Sequence, residues 1–172
     1  MDGINAGRTS EGRQDTDEKL SRLFDEIQSD GTGGGLDLET PAGDHPEQEA
    51  DELLESSLDA LFADAAFRFD EKLVKQSLEE LLVVLIAMRS GETNGKALMS
   101  DLSRLFDSQL SPGTVYPALH EMDGDDVLEM FELVRSKEYR IADDQEAAAM
   151  VTEAAQQYLA LGAFLYAATD EL

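Results

Sequence analysis

The order of apolar patterns between residues 70 and 142 constrains the fold of this chain more than any other sequence feature. Apolar residues first recur at helical spacing over Leu73–Met88, and this run ends where Ser90 and Gly91 interrupt it. A second run with helical spacing extends from Lys96 to about Phe106. The pattern therefore predicts a long core helix followed by a shorter one.

A third helix and two strands follow. Ser111 is a suitable N-cap and Pro112 fits the first helical turn, so this helix is predicted to begin there and to run to about Met122. Residues 127–133 and 137–142 are rich in strand-forming side chains and are separated by a three-residue turn. Three helices followed by a hairpin is the order of a winged helix-turn-helix, which we predict for residues 70–142.

Residues 143–172 are predicted to form one helix with an apolar seam. The seam residues alternate at spacings of four and three, as in a heptad interface. They are Ala147, Val151, Ala154, Tyr158, Leu161, Leu165 and Ala168. The helix either packs on the first core helix of its own chain or crosses to a second copy, and a dimer would use both contacts. The dimer hypothesis assigns Val151, Ala154, Tyr158, Leu161 and Leu165 to the interface. The expected fold class is mainly α with a small β hairpin.

Residues 1–49 read as an acidic, flexible extension, because glycine and proline clusters separate few apolar residues. One short amphipathic helix is predicted within it, with Leu20, Leu23, Phe24 and Ile27 at helical spacing. This helix either packs on the domain or docks a protein partner. Residues 50–69 form a second island that we expect to be a helical lead-in. The pattern Leu-Ser-Arg-Leu-Phe occurs at both 20–24 and 102–106, which is weak evidence of a repeat.

Composition narrows the cellular setting. The chain has no cysteine, which excludes disulfides and thiolate metal sites, and its first residues do not resemble a secretory signal. Its apolar runs are shorter than the ~20 residues that a membrane-spanning helix needs. We therefore expect a soluble, cytoplasmic protein with no membrane contact.

The formal net charge of −25, with lysine scarce and aspartate plentiful, resembles proteins of salt-loving archaea. In concentrated salt, charges are screened within a few Å, so this acidity says little about partners. The basic residues are nevertheless concentrated, since eight of the thirteen lie within residues 70–142. Those in the second helix and the hairpin are the candidates for phosphate contacts. They are Lys96, Arg104, Arg135, Lys137 and Arg140.

The sequence of residues 110–120, Leu-Ser-Pro-Gly-Thr-Val-Tyr-Pro-Ala-Leu-His, resembles the recognition-helix signature of the PadR-like regulators in a haloarchaeal form. Gly95-Lys96-Ala97-Leu98 stands where that family opens its second helix with glycine. Lys137-Glu138-Tyr139-Arg140 resembles the family's basic-aromatic returning strand. The resemblance covers about seventy of the 172 residues.

This resemblance implies a dimeric, winged-helix transcriptional regulator that binds double-stranded DNA, with the third helix in the major groove. Ser111, Gly113 and Thr114 present small donors at a helix N-terminus, which suits a phosphate. Tyr116 can reach a phosphate oxygen, and His120 lies one turn further along the same face. The third helix has no arginine or lysine, so base contacts would come from serine, threonine and histidine or from DNA shape.

No catalytic constellation emerges from the sequence, and two histidines give little material for a metal site or a triad. We expect no cofactor, no metal and no enzymatic activity. The main hypothesis is a sequence-specific DNA-binding regulator. The alternative is an adaptor that keeps the winged-helix fold, has lost DNA binding and uses its acidic arm to bind a protein.

Overall fold

A computed structural model describes residues 50, 51, 53–55, 57, 58 and 67–169. The predicted helix around Leu20–Ile27 lies outside the described residues. Residues 50, 51, 53–55, 57 and 58 are helical. The elements that follow are α1 (Glu71–Gln76), α2 (Leu78–Met88), α3 (Gly95–Phe106), α4 (Pro112–Gly124), β1 (Leu128–Glu132), β2 (Lys137–Ile141) and α5 (Asp144–Ala168). The described chain is therefore mainly helical with one small antiparallel sheet.

The long core helix is interrupted once. Asp70 caps α1 by accepting a hydrogen bond from the Lys72 backbone N–H at 2.8 Å, and α1 then ends at Ser77, which also precedes α2. The sequence pattern predicted one continuous helix here, because apolar spacing passes through Ser77 without a break. The Ser77 hydroxyl bonds back to the Leu73 carbonyl at 3.0 Å, a local bond that competes with helix continuation.

The helices α3 and α4 begin where the sequence predicts. The Asn94 side chain caps α3 by accepting from the Ala97 N–H at 3.0 Å. Ser111 is the N-cap residue of α4, although its side chain makes no capping bond and instead lies 3.1 Å from the Thr114 hydroxyl. α4 extends two residues past its predicted end and stops before Asp126, which has a φ of 60°.

The strands β1 and β2 pair antiparallel, with Leu128 opposite Ile141 and Glu132 opposite Lys137. Two contacts tie β2 to the residues just before α3. Asn94 forms an antiparallel bridge with Glu138, and the Tyr139 N–H donates to the Thr93 carbonyl at 3.4 Å. The hairpin is thus anchored beside the start of α3.

One hydrophobic core joins all these elements. Its fully buried apolar side chains come from each of the helices α1 to α4 and from both strands, and are Val74, Leu82, Leu98, Leu102, Val115, Leu119, Leu128 and Tyr139. A nearly buried ion pair between Arg89 and Asp101 links the end of α2 to α3, with 13% and 10% of the two side chains exposed. The core fixes the relative positions of α3, α4 and the hairpin.

The helix α5 has two unlike halves. Its first half packs on α2: Ala147 is buried, and further along the Tyr158 hydroxyl lies 2.9 Å from that of Ser77. Its second half leaves large apolar side chains in solvent, with Leu161 57%, Phe164 68% and Leu165 56% exposed. The predicted seam therefore covers the chain's own core along its first half only.

Gly95 opens α3 because the ring of Tyr116 occupies the space where a side chain would lie. A Cβ built on Gly95 would stand 2.6 Å from Cε1 of Tyr116 and 2.8 Å from its Cζ. We expect Gly95→Ala to lower the free energy of unfolding by about 1–2 kcal/mol, as overpacking does. Urea denaturation measures this.

Gly91→Ala is the matched control, because a Cβ there meets nothing within 4 Å. In a Tyr116→Ala background, the cost of Gly95→Ala should fall, since the clashing ring is gone. An equal cost in both backgrounds would show that the ring is not the reason for this glycine.

Candidate nucleic-acid interface

Several of the predicted contact residues lie at the N-cap and in the first turns of α4. Ser111 and Gly113 are exposed and Thr114 is partly exposed, so the helix N-terminus is open to a ligand. Tyr116 is half-buried, because its ring packs on Gly95 and against the core. His120 is exposed one turn further along. Small donors and N–H groups at a helix N-terminus can bind a phosphate.

Lys96 lies close to this helix end and to the hairpin. It follows Gly95, on which the Tyr116 ring rests, and it stands two residues after Asn94, which bridges to Glu138 of β2. Lys96 and the hairpin residue Arg135 are both exposed, and neither makes an ion pair within residues 67–169. Both charges are therefore available to an external anion.

The other two basic residues of the hairpin lie on opposite faces of it. Side chains alternate along a strand, and Tyr139 is buried, so Lys137 shares the face of Tyr139 while Arg140 lies on the other face. Lys137 pairs with Glu132 at 3.5 Å. The Arg140 guanidinium lies 4.9 Å from the centre of the Phe131 ring, a cation–π contact. Lys137 and Arg140 therefore do not form one continuous basic surface, although their proximity in sequence suggested one.

Arg104 lies near the other end of α3 and has two partners in the chain. Its guanidinium forms ion pairs with Asp51 and with Asp101, the latter at 3.2 Å. Burial lowers the pKa of Arg104. Its hydrogen bonds to Asp101 and Asp51 together raise the pKa by more than burial lowers it, so the net shift is upward. These contacts give Arg104 a role in joining the helical residues around Asp51 to α3, which the charge pattern did not predict.

The C-terminal end of α4 is electronegative. Burial raises the pKa of Glu79, and the nearby carboxylates of Glu121, Glu80 and Asp125 raise it further. Asp123 accepts a hydrogen bond from the Met130 N–H at 2.8 Å and so joins α4 to β1. A phosphate would be repelled from this end, which leaves the N-terminal half of α4 as the part suited to an anion.

The structure gives Gly95 and Tyr139 roles that their sequence motifs did not reveal. The reason for Gly95 became visible only with the ring of Tyr116 above it. Tyr139 was quoted for its resemblance to a basic-aromatic strand, but it is fully buried, and burial followed by the proximity of Tyr116 and Asp123 raises its pKa. It positions β2 and is not available to a ligand on the surface.

The residues that the structure describes contain neither a metal-binding cluster nor a membrane-spanning helix. Within that part of the chain, no group of three or more histidine, cysteine, aspartate or glutamate side chains is arranged to hold a metal ion. Likewise, none of its helices combines the length and apolar character needed to span a bilayer.

Three curated proteins resemble part of the chain. It is 47% identical over 74 residues to the transcriptional activator GvpE of Haloferax mediterranei, covering 43% of this chain and 38% of that protein. It is 38% identical over 96 residues to GvpE1 of Halobacterium salinarum, covering 56% and 50%. It is 40% identical over 89 residues to GvpE2 of the same organism, covering 52% and 46%.

The chain thus spans half or less of the length of these relatives. No protein-family model and no solved structure matches it. Over about half of its own length, this chain is similar to haloarchaeal proteins named as transcriptional activators, and that similarity supports a transcriptional regulator.

Proposed function

We propose that this protein is a transcriptional regulator that binds double-stranded DNA as a dimer through a winged helix-turn-helix of the PadR-like type. The observation that carries the proposal is the similarity to three transcriptional activators. The order of α2, α3, α4, hairpin and long C-terminal helix agrees with it. The anchoring of the hairpin beside α3 through Asn94 and Glu138 also agrees with it.

In this proposal, the N-terminal half of α4 enters the major groove. Ser111, Gly113 and Thr114 contact a phosphate, Tyr116 adds its hydroxyl, and His120 faces the bases. The hairpin acts as the wing, and Arg135, which makes no ion pair with the described part of the chain, lies at its tip. Because α4 has no arginine or lysine, sequence preference would rest on weaker side-chain contacts and on DNA shape.

The exposed half of α5 supports the proposed dimer. Large apolar side chains in solvent at the end of a helix whose first half is packed indicate a missing partner. A second copy supplies the same surface in a two-fold arrangement. Two α4 helices would then lie about one DNA turn apart, on a pseudo-palindromic site.

The hairpin contribution is tested with the double substitution Lys137→Ala and Arg140→Ala. Loss of two phosphate contacts should weaken binding on all DNA sequences and should lower the slope of log affinity against log salt by about two. Fluorescence anisotropy across a KCl series measures both. The two single variants show whether one face of the hairpin dominates.

A matched control removes the same charge elsewhere. Lys72→Ala with Lys75→Ala takes two positive charges from α1, far along the chain from the hairpin. We expect this pair to change affinity much less. Equal losses for both pairs would mean that only net charge matters, and would count against the assigned wing.

One observation favours a second candidate, a winged-helix adaptor that binds protein. The side chains of α4 include Glu121 and Asp123 but no cation, and the hairpin balances three basic residues with Glu129, Glu132 and Glu138. If no DNA sequence is bound above background in molar KCl while the fold is intact, the adaptor becomes the better account.

A further inference from the structure

Among the described residues that precede α1, three contact the C-terminal end of α3 or its capping residue Asp107. The residues that make these contacts are Asp51, Arg68 and Phe69, which we call the lead-in surface. The contacts are the ion pair Asp51–Arg104, the ion pair Arg68–Asp107 at 3.5 Å, and the edge-to-face ring pair Phe69–Phe106 with centroids 5.2 Å apart. All three contacts involve residues of one four-residue segment, Arg104 to Asp107.

That segment belongs to a hexapeptide that occurs twice in the chain. Leu102–Asp107 reads Leu-Ser-Arg-Leu-Phe-Asp, and Leu20–Asp25 reads the same. The three α3 residues that contact the lead-in surface therefore have identical counterparts, which are Arg22, Phe24 and Asp25. The first leucine of the α3 copy, Leu102, is fully buried in the core and takes no part in these contacts.

The residue before the hexapeptide differs between the two copies. In α3 it is Asp101, whose carboxylate shares the Arg104 guanidinium with Asp51. At the equivalent place in the N-terminal arm stands Lys19. In the arm copy, Arg22 is the counterpart of Arg104, and no carboxylate stands at this position to compete with Asp51 for it. Lys19 adds a second positive charge there.

The two ion pairs of the lead-in surface are exposed enough to exchange, whereas Phe69 and Phe106 are partly buried against the core. The side chains of Asp51 and Arg104 are 44% and 42% exposed, and those of Arg68 and Asp107 are 81% exposed. Exposed ion pairs contribute little to stability and are weakened by salt. If the arm copy took over the contacts with Asp51, Arg68 and Phe69, Leu102 would stay buried in the core.

We propose that Asp51, Arg68 and Phe69 form a docking surface for which two segments of the same chain compete, Leu102–Asp107 in α3 and Leu20–Asp25 in the N-terminal arm. The 25 residues between Asp25 and Asp51 span up to about 80 Å when extended, so the surface is within reach. A tether of this length keeps the competing segment at high effective concentration. Docking of the arm frees Arg104 from Asp51.

The test uses the full chain and a nitroxide label. Because the chain has no cysteine, Ser21→Cys places one label inside the arm hexapeptide. We expect the amide signals of residues 50–55 and 67–69 to lose intensity in the ¹⁵N-labelled protein. The loss should persist on dilution. Ser103→Cys, the same residue in the other copy, is the positive control, and Ser10→Cys is the control for random collisions of the arm.

Two variants sharpen the result. Phe24→Ala with Arg22→Ala should abolish the intensity loss from the Ser21 position, because it removes the matching side chains. Arg104→Ala weakens the resident copy and should increase that loss. The proposal is overturned if a label at position 21 affects these amides no more than one at position 10, if the effect vanishes on dilution, or if Arg104→Ala leaves it unchanged.

Discussion

Replacing Asp101 with alanine is expected to destabilise the fold by about 3 kcal/mol or more, the largest effect of any single substitution considered. The Asp101 carboxylate contacts Arg89 at the end of α2 and Arg104 on its own helix, and 10% of its side chain is exposed. Removing Asp101 takes a nearly buried carboxylate from two arginines at once, and one of them, Arg89, is itself only 13% exposed. Urea denaturation followed by circular dichroism measures the change in unfolding free energy.

Asp107→Ala is the matched control, because Asp107 also pairs with an arginine but is 81% exposed. We expect a change below about 1 kcal/mol there, vanishing in molar KCl, where exposed charges are screened. The effect of Asp101→Ala should persist in KCl, since a buried pair is screened less. Similar changes for both variants would show that the Arg89–Asp101 pair does not hold α2 to α3.

Replacing Leu161 with aspartate is expected to convert the proposed dimer into monomers. Leu161 is 57% exposed and lies between Tyr158 and Leu165 on the apolar face of the second half of α5. A charge in the middle of an apolar interface must be desolvated without a partner, which costs several kcal/mol. Sedimentation velocity gives the oligomeric state directly.

Gln156→Asp is the control, because five residues correspond to about 1.4 turns and Gln156 therefore faces the other side of α5. Helix content should be similar in both variants, since each adds one aspartate to an exposed position. A Leu161→Asp protein that still sediments as a dimer would reject this face as the interface.

Local patterns predicted much of the fold. The starts of α3 and α4 follow from Asn94 and Ser111-Pro112, which are local capping signals, and the hairpin follows from two short runs of strand-forming residues. The break at Ser77 was missed, because the apolar spacing on either side of it is continuous. The Ser77 hydroxyl donates a hydrogen bond to the Leu73 carbonyl at this break, and apolar spacing does not reveal such a bond.

The candidate site was less predictable, since it depends on contacts between residues distant in sequence. Arg104 looked equivalent to Lys96 as a cation of α3. The difference arises from Asp51, which is 53 residues away, and from Asp101 one turn back. Lys137 and Arg140 looked like one basic strand, but the burial of Tyr139 fixes their side chains on opposite faces.

For α5, the sequence left two alternatives open, packing within the chain and packing between chains. The structure shows packing within the chain for the first half of α5 and leaves the second half exposed. Ala147 is buried against the chain's own core, whereas Phe164 is 68% exposed with its apolar surface uncovered. A heptad pattern indicates that one face of a helix is apolar, but it does not indicate which residues cover that face.

Genome-wide DNA occupancy of the tagged protein in its native cell, at native salt, shows whether it regulates transcription by binding specific DNA sites. We expect discrete peaks that share a pseudo-palindromic sequence, and we expect these peaks to weaken when Lys137 and Arg140 are replaced. A flat profile, with the protein present and folded, would contradict DNA-binding regulation.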